Sequence, residues 1–378
     1  LEELIKEYCP NGVIRVTIGK ICKISRGIVM SKDFIRDNHG DYPVYSSQTE
    51  NNGCLGYINT YKYDGEYVTW TTDGANAGTV FYRSGKFSIT NVCGLLEVKD
   101  LMVVNTKYLY YALSIEARRY VNQGMGNPKL MSNIMASVQI PLPALPVQRE
   151  IVRILDSFTL YSAELTAELT ARRKQYEFYR DKLLNFPQIN KLSLAQCCLF
   201  QNGFAFKSDL FRQTGLPILR ITNIVDGQLT KSGYVYFDLK DYKEDLSQYI
   251  VRKNDIVIAM SGATTGKIGW NYSDNNYYLN QRVGKFLPKE NILNRRYLYF
   301  WLQSKQDEIL QSALGSGAQP NLSSKTMMNF EIPVPPMDVQ ERIVKVLDNF
   351  DAICSDLGIG LPAEIEKRQK QYEYYRDK

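Results

Sequence analysis

The most constraining feature of this chain is that one sequence unit occurs in it twice. Residues Gln139–Phe158 align with Glu331–Phe350 at the same spacing, and Gln175–Lys182 recur as Gln371–Lys378 with a single difference. An offset of about 190 residues is far longer than a solenoid repeat and matches a domain followed by a helix. Duplication at this scale predicts a pseudo-two-fold molecule with two equivalent surfaces, and not an enzyme built around one site.

Length and composition fit a folded protein with more than one domain. The chain has 378 residues, of which 44% are hydrophobic and 23% are charged, as is ordinary for globular proteins. It contains no run of about 18 apolar residues that could span a bilayer, and Leu1–Tyr8 is too charged for a signal peptide. We therefore expect a cytoplasmic protein.

Metal and thiol chemistry are not indicated. The seven cysteines include no pair spaced as C-x-x-C, and His39 is the single histidine, so no usual zinc ligand set can be assembled. We expect reduced, mostly packed thiols and no metal site. The net charge of +6 and the 27 tyrosines fit a nucleic-acid or protein interface, although tyrosines in strands would look the same.

Each copy ends in a long amphipathic helix. Apolar residues step by three and four in a heptad seam, which predicts one helix over about 147–184, roughly 55 Å long. The predicted seam of the first copy comprises Ile151, Leu155, Phe158, Leu165, Leu169, Tyr176 and Tyr179. That of the second copy comprises Ile343, Leu347, Phe350, Leu357, Tyr372 and Tyr375. The second copy has four extra residues that include Gly358, Gly360 and Pro362, so we expect a break near 358–362.

The block before each helix carries strand and turn signals. Asp255–Met260 is typical of a buried strand, 261–266 of a turn and Lys267–Trp270 of a returning strand. The first copy repeats this layout at 67–70, 72–78 and 79–82. Residues 108–113 and 297–302 are both predicted to be helical.

These patterns predict an α+β fold with two β-rich domains, each followed by a long helix with a heptad seam. The predicted boundaries are 1–14 for a short N-terminal helix, 15–146 and 187–338 for the β-rich domains, and 147–186 and 339–378 for the helical regions. Because the helices match closely and the β turns differ, the two domains are expected to recognise different things.

Several short motifs resemble catalytic sites but lack residues that those sites require. A phosphate-binding loop would need Gly at position 261 and Ser or Thr at position 268, where the chain has Ser261 and Ile268. Glu97 and Lys99 form a nuclease-like E-x-K pair, but Leu287 replaces the acid in the second copy. The sequence also lacks an amino-methyltransferase motif and a nucleophile elbow. We predict no catalytic residue.

The duplicated motif resembles that of the specificity (S) subunits of type I restriction-modification systems. The resemblance rests on Ile140, Pro141, Pro143, Gln148 and the following helix, repeated at Ile332, Pro333, Pro335 and Gln340, and it covers essentially the whole chain. It implies two β-rich target recognition domains alternating with two conserved helical regions, whose long antiparallel coiled-coil helices separate the domains. Each recognition domain would read one half of a bipartite double-stranded DNA target.

The resemblance also implies partners that carry the chemistry. Modification (M) subunits, expected in two copies, would dock on the helices and use S-adenosylmethionine, while restriction (R) subunits would use ATP and Mg. This chain would hold no cofactor. Stiff paired helices would fix the gap between the half-sites, since four added helical residues shift a spacing by roughly 6 Å.

Polar side chains in the β turns are the candidate DNA contacts, because Arg, Asn and Gln can pair with base edges while Lys, Ser and Thr can hold phosphates. In the first copy they are Thr72, Asp73, Asn76 and Asn91. In the second they are Lys207, Ser261, Thr264, Thr265, Lys267, Gln281 and Arg282. Arg26–Lys32 and Gly203–Ser208 are further candidate loops.

Two other classes of function stay open at this point. A duplicated protein-interaction scaffold without a DNA role would share the same repeat, and a DNA-acting enzyme could use an unrecognised site. DNA binding that weakens steeply with salt separates the first alternative from a specificity subunit. Methylation by the isolated chain would favour the second.

Overall fold

The computed structural model describes residues 1–124, 126–314, 320–355 and 360–377. The chain divides into two compact units. Unit 1 comprises Leu1–Glu164 together with Ile365–Lys378, and unit 2 comprises Leu165–Glu364. The first half of the long helix Leu145–Leu184 belongs to unit 1, and its second half belongs to unit 2. The five segment boundaries drawn from the sequence stay a prediction.

Unit 1 is built around one large sheet. Its elements up to the long helix are α1 (Glu2–Tyr8), β1 (Ile14–Thr17), α2 (Ile18–Ile21), β2 (Cys22–Arg26), α3 (Lys32–Asp37), β3 (Tyr42–Tyr45), β4 (Cys54–Ile58), β5 (Tyr63–Thr71), β6 (Val80–Ile89), β7 (Cys93–Val98), α4 (Thr106–Glu116), α5 (Ser132–Ser137), β8 (Gln139–Leu142) and α6 (Leu145–Leu184). Six strands form a sheet in the order β2-β7-β5-β6-β3-β4, and β1 pairs with β8. Its main core joins Trp70 to Leu109, Leu113 and Met135, all fully buried.

Unit 2 repeats this plan with more strands. Its elements are β9 (Lys191–Ser193), α7 (Leu194–Cys197), β10 (Cys198–Asn202), β11 (Leu216–Leu219), β12 (Ile224–Val225), β13 (Gln228–Leu229), β14 (Val235–Phe237), β15 (Ile250–Val251), β16 (Ile256–Ala259), β17 (Ile268–Trp270), β18 (Tyr277–Leu279), β19 (Val283–Pro288), α8 (Arg295–Ser304), α9 (Gln306–Ala313), α10 (Ser324–Met328), β20 (Glu331–Pro333) and α11 (Met337–Ser355). The last helix, α12 (Leu361–Asp377), belongs mostly to unit 1.

The sheets of unit 2 show how the copies diverged. Its strands form a six-stranded sheet β10-β19-β16-β17-β13-β12, a four-stranded sheet β14-β11-β18-β15 and the pair β20-β9. In unit 1, β5 and β6 form one continuous hairpin. In unit 2, β15 and β16 together correspond to β5, and β17 and β18 together correspond to β6. Of these, β16 and β17 lie in the six-stranded sheet, whereas β15 and β18 lie in the four-stranded sheet. The α+β fold and the internal repeat predicted from the sequence are confirmed.

The individual elements agree closely with the sequence patterns. The strands predicted at 67–70, 79–82, Asp255–Met260 and Lys267–Trp270 and the helices at 108–113 and 297–302 are all present. The predicted first long helix is confirmed as α6, and the second is split into α11 and α12 as expected. Leu357 and Gly358 lie outside the described residues, and Pro362 is the second residue of α12, where proline is tolerated because no intrahelical N–H bond is lost.

The helices pack antiparallel within each unit. In unit 2, Tyr176 and Tyr179 meet Phe350 with ring centroids 6.5 and 5.8 Å apart, while Leu184 shares a core cluster with Ile343 and Leu347. In unit 1, Phe158 stacks on Tyr375 at 5.5 Å, and Arg368 lies 5.1 Å from the centre of the Tyr161 ring. Of the other predicted seam residues, Leu155 and Leu165 are buried, whereas Ile151, Leu169 and Tyr372 are half-buried.

A buried glutamine joins the β-rich part of each unit to its helix. In unit 1, Gln148 Oε1 accepts from Asn105 N at 2.9 Å, and Nε2 donates to the carbonyls of Val103 and Pro143 at 2.9 and 2.8 Å. In unit 2, Gln340 does the same with Asn294, Ile292 and Pro335 at 2.8, 3.0 and 2.8 Å. Both glutamines are 0% exposed. The repeat of this residue in the sequence therefore reflects a repeated structural joint.

An ion pair joins the same elements about two turns further along each helix. In unit 1, Lys107 Nζ lies 2.7 Å from Asp156 Oδ2, and the Tyr111 hydroxyl donates to the other oxygen at 2.6 Å. In unit 2, Arg296 contacts both Asp348 and Asp351 at 2.6 Å, and the Tyr272 hydroxyl donates to Asp351 at 2.6 Å. The two units thus share a joint but differ in how deeply its charges are buried.

Candidate nucleic-acid interface

In unit 1, four connecting segments converge at one edge of the large sheet. We call residues 26–28, 72–78, 90–92 and the described part of 122–130, which leaves out residue 125, loop cluster 1. Thr72 N donates to Val92 O at 3.2 Å, and Leu130 N donates to Thr72 O at 2.9 Å. Gly74 N donates to Pro128 O at 3.0 Å, and Arg26 Nε donates to Asn91 O at 2.9 Å. Three of these four bonds join backbone groups, so the cluster is held largely independently of its outward side chains.

Unit 2 contains an equivalent arrangement. We call residues 202–204, 260–266, 280–282 and 320–322 loop cluster 2. Met260 N donates to Arg282 O at 2.8 Å, Leu322 N to Met260 O at 2.7 Å, and Gly262 N to Pro320 O at 3.1 Å. Each bond has a counterpart in loop cluster 1. The bridge between Ser261 and Asn321 likewise matches that between Asp73 and Lys129.

A glycine in each cluster allows two segments to touch. A Cβ on Gly27 would lie 2.0 Å from Ile89 O, and one on Gly203 would lie 2.0 Å from Asn280 O. These distances are far below van der Waals contact, and the obstacle is backbone in both cases. Only glycine at these positions lets the first segment reach the turn beside it.

Replacing Gly27 by alanine should therefore displace residues 26–28 and destabilise unit 1 by about 1–3 kcal/mol through overpacking. Urea unfolding measures the loss, and hydrogen exchange at residues 89–92 should speed up. Gly124→Ala is a suitable control, because its Cβ would meet only the exposed Asn122 side chain, at 3.1 Å. Equal stability of both variants would contradict this account of Gly27.

Loop cluster 1 places the predicted residues in different settings. Thr72 is fully buried, its hydroxyl lies 2.6 Å from Asp73 Oδ2 and 2.9 Å from Val92 O, and it accepts from Arg26 at 3.0 Å. Its side chain supports the loop and does not face outward. Asp73 is half-exposed, while Asn76 and Asn91 are exposed. Asn76 Nδ2 donates to Thr49 Oγ1 at 3.1 Å, which ties the β3–β4 loop to the cluster.

Loop cluster 2 shows the same division. Thr265 is buried, and its hydroxyl donates to Gly262 O at 2.7 Å. The hydroxyls of Ser261 and Thr264 are also buried and have no hydrogen-bond partner among the described residues. The exposed predicted residues of unit 2 are Lys207, Lys267, Gln281 and Arg282. Of these, Lys207 lies beyond the cluster on the loop that follows Phe204, where its N–H donates to the Tyr242 hydroxyl at 3.1 Å.

Residues outside the predicted set also belong to this surface. A depression of about 630 Å³ is lined by Asn122, Gly124, Gly126, Asn127 and Lys129 together with the predicted Asp73. Lys129 Nζ lies 4.0 Å from Asp73 Oδ1. Asn321 is exposed at the position equivalent to Lys129. The sequence indicated the segment around Lys129 only through the repeat of Pro128 at Pro320. Its pairing with residues 72–74 joins parts of the chain that are far apart in sequence.

Both loop clusters present amide, hydroxyl and basic groups, which suit contacts with base edges and phosphates. Across the described ranges, no three His, Cys, Asp or Glu side chains are grouped so that they could hold a metal ion. None of the helices described is long and apolar enough to cross a membrane.

Comparison with known proteins identifies the family. The family model for the type I restriction modification DNA specificity domain matches residues 10–172 and again residues 189–367. A putative type I specificity subunit of Mycoplasma pneumoniae is 33% identical over 371 residues, which cover 96% of this chain and 95% of that protein. The specificity subunit of the type I restriction enzyme MpnII of the same organism is 42% identical over 175 residues, or 45% of this chain and 52% of the relative.

A solved structure has the same fold. The type I restriction-modification S subunit from M. genitalium matches with a TM-score of 0.62 at 17% identity, covering 97% of this chain and 94% of that one. At this identity the likeness concerns the fold, whereas the doubled family match concerns both halves of the sequence. This chain belongs to the family of type I restriction-modification DNA specificity subunits.

Proposed function

We propose that each loop cluster contacts one half of a bipartite DNA target. The observation that carries the proposal is that the two clusters share their backbone hydrogen bonds but differ in the side chains those bonds present. Asp73, Asn91, Val92 and Lys129 correspond to Ser261, Gln281, Arg282 and Asn321. Base edges are distinguished by the donors and acceptors that side chains offer. A shared frame with exchanged side chains is what reading two different half-sites requires.

The helices and the partners complete the proposed function. Modification subunits would dock on the helical regions in two copies, the helices would set the gap between the half-sites, and restriction subunits would join this complex. Methyl transfer from S-adenosylmethionine and ATP- and Mg-dependent cleavage would take place on those partners, so this chain would supply recognition without catalysis. The alternative of a protein-interaction scaffold without a DNA role is not favoured, because both halves match a DNA specificity domain.

Co-expression with a modification subunit, followed by mapping of methylated adenines, tests the proposal. We expect a motif in two parts separated by an invariant gap. A single contiguous motif, or no methylation, would contradict it. Binding of the complex to DNA should also weaken steeply with salt, since phosphate contacts release counterions.

Arg282 is the exposed basic side chain at the centre of loop cluster 2. If it contacts DNA, Arg282→Ala should lower affinity for the target by about 1–3 kcal/mol, the usual range for an arginine pairing with guanine. The sequence requirement should relax in one half-site only, while the methylation rate of the whole target falls.

The matched control is Arg252→Ala. Arg252 is also exposed in unit 2, but it precedes β16 and so lies at the other end of that strand from the cluster. Unchanged motif and methylation rate in Arg282→Ala would remove Arg282 from the interface.

A further inference from the structure

The structure places an acceptor and a donor side by side at the rim of loop cluster 1. Asp73 and Lys129 are partners in an isolated antiparallel bridge, so their side chains leave the backbone next to one another. Asp73 Oδ1 and Lys129 Nζ lie 4.0 Å apart, with 27% and 55% of the side chains exposed. At this separation and exposure the ion pair is weak, so Asp73 Oδ1 and the Lys129 ammonium are both available to a ligand.

The Asp73 carboxylate is oriented by two groups inside loop cluster 1. The other oxygen, Oδ2, lies 2.6 Å from the Thr72 hydroxyl and 3.8 Å from Arg26 Nη2. Thr72 is fully buried, and Arg26 is held by the carbonyl of Asn91. One oxygen is therefore anchored inward, and Oδ1 is left on the side of Lys129 and the depression beyond it.

We propose that Asp73 and Lys129 together read one C·G base pair of the half-site bound by unit 1, an assignment that rests on the proposed function. Asp73 Oδ1 accepts a hydrogen bond from the cytosine N4 amine, and Lys129 Nζ donates to guanine O6 or N7. Cytosine N4 and guanine O6 are hydrogen-bonded to each other, so they lie about 3 Å apart in the major groove. An acceptor and a donor 4.0 Å apart match that pair.

The identity of the base pair follows from the chemistry of the two groups. An ionised carboxylate has only acceptor sites and an ammonium has only donor sites. Thymine offers an acceptor and a methyl group where cytosine offers its amine, so a T·A pair would set the carboxylate against O4. Lys129 would then meet the adenine amine, which is a donor. The carboxylate contact would be repulsive, and the ammonium would lose the O6 acceptor and keep only N7, which adenine shares with guanine. Discrimination follows from these two losses.

Loop cluster 2 supplies a natural comparison. Its equivalent bridge pairs Ser261 with Asn321, which carry no charge. Asparagine reads adenine through N6 and N7 more readily than it reads a C·G pair. The two units therefore hold a charged reader and a neutral reader in the same backbone frame.

Motif mapping with a co-expressed modification subunit tests the assignment, with unfolding measured on each variant. Asp73→Asn and Lys129→Ala should each relax one C·G position in one half-site, with discrimination reduced roughly tenfold or more. The double change Asp73→Ser with Lys129→Asn, which installs the pair of unit 2, should shift that position towards A·T. The second half-site and the gap should not change.

Asp64→Asn is the matched control, because Asp64 lies near the start of β5, whereas loop cluster 1 follows its end. It should leave the motif unaltered. If Asp73→Asn and Lys129→Ala left the methylated motif and the methylation rate unchanged, the C·G assignment would be overturned but the proposed function would stand. A change of the motif confined to a position other than one C·G pair would have the same consequence. Failure of the unaltered chain to direct methylation would overturn the proposed function and the assignment with it.

Discussion

Replacing Arg296 by methionine is expected to destabilise unit 2 by about 3–5 kcal/mol, the usual cost of removing one partner from a buried ion pair. The Arg296 side chain is 13% exposed and lies 2.6 Å from both Asp348 and Asp351. Asp351 is itself 12% exposed in its side chain. Without the guanidinium, the Asp351 charge would keep only the Tyr272 hydroxyl, at 2.6 Å, as its partner among the described contacts.

Aromatic rings add to the expected loss. The Arg296 guanidinium carbon lies 4.6 Å from the ring centres of Tyr299 and Phe300 and 4.7 Å from that of Trp270. Such contacts are worth up to about 2 kcal/mol when desolvated. Burial alone would lower the pKa of Arg296, but the neighbouring Tyr272, Asp351 and Asp348 outweigh it and hold the pKa above its ordinary value. The guanidinium is therefore charged, and Arg296→Met removes a buried positive charge.

Unit 1 provides the matched control for Arg296. Lys107 and Asp156 occupy the equivalent joint, but each side chain is 35% exposed, so Lys107→Met should cost only about 1 kcal/mol. Hydrogen exchange separates the two effects, because α8 and α11 should lose protection in one variant and α4 in the other. Equal and small losses in both variants would show that burial does not govern this joint.

The sequence predicted the regular elements well because their signals are local. Heptad spacing located α6 within two residues of its start, and alternating or buried apolar runs located the strands beside the turns. Packing between distant segments gave no such signal. The antiparallel pairing expected for the two helices already places α12 beside the first half of α6, but the chain order does not indicate which side chains meet there, such as Phe158 and Tyr375.

The candidate interface shows the same limit at the level of single residues. Polar residues in the turns were predicted to contact DNA, yet Thr72 and Thr265 are buried with their hydroxyls engaged inside the loop clusters. A turn sequence does not reveal which side chains point inward. Lys129 was missed because its bridge to Asp73 joins segments far apart in the chain.

Truncation of the repeated glutamine should also have a large effect. Gln340→Ala leaves the Asn294 N–H and the carbonyls of Ile292 and Pro335 without this partner in a site that is 0% exposed. Each buried group left unpaired costs about 1–3 kcal/mol, so we expect a loss of about 3–5 kcal/mol in unit 2. Urea unfolding measures the total, and hydrogen exchange at the start of α8 should report the lost cap directly.

Two further variants separate the causes of that loss. Gln340→Met keeps the length of the side chain but cannot pair with the three backbone groups, so it should recover only the part of the loss that comes from the cavity. Gln311→Ala removes an exposed glutamine from α9 of the same unit and should change stability by less than about 0.5 kcal/mol. If Gln340→Met were as stable as the unaltered chain, shape alone would explain the buried glutamine. If Gln148→Met destabilises unit 1 as much as Gln340→Met destabilises unit 2, the duplicated residue is retained for its hydrogen bonds in both joints.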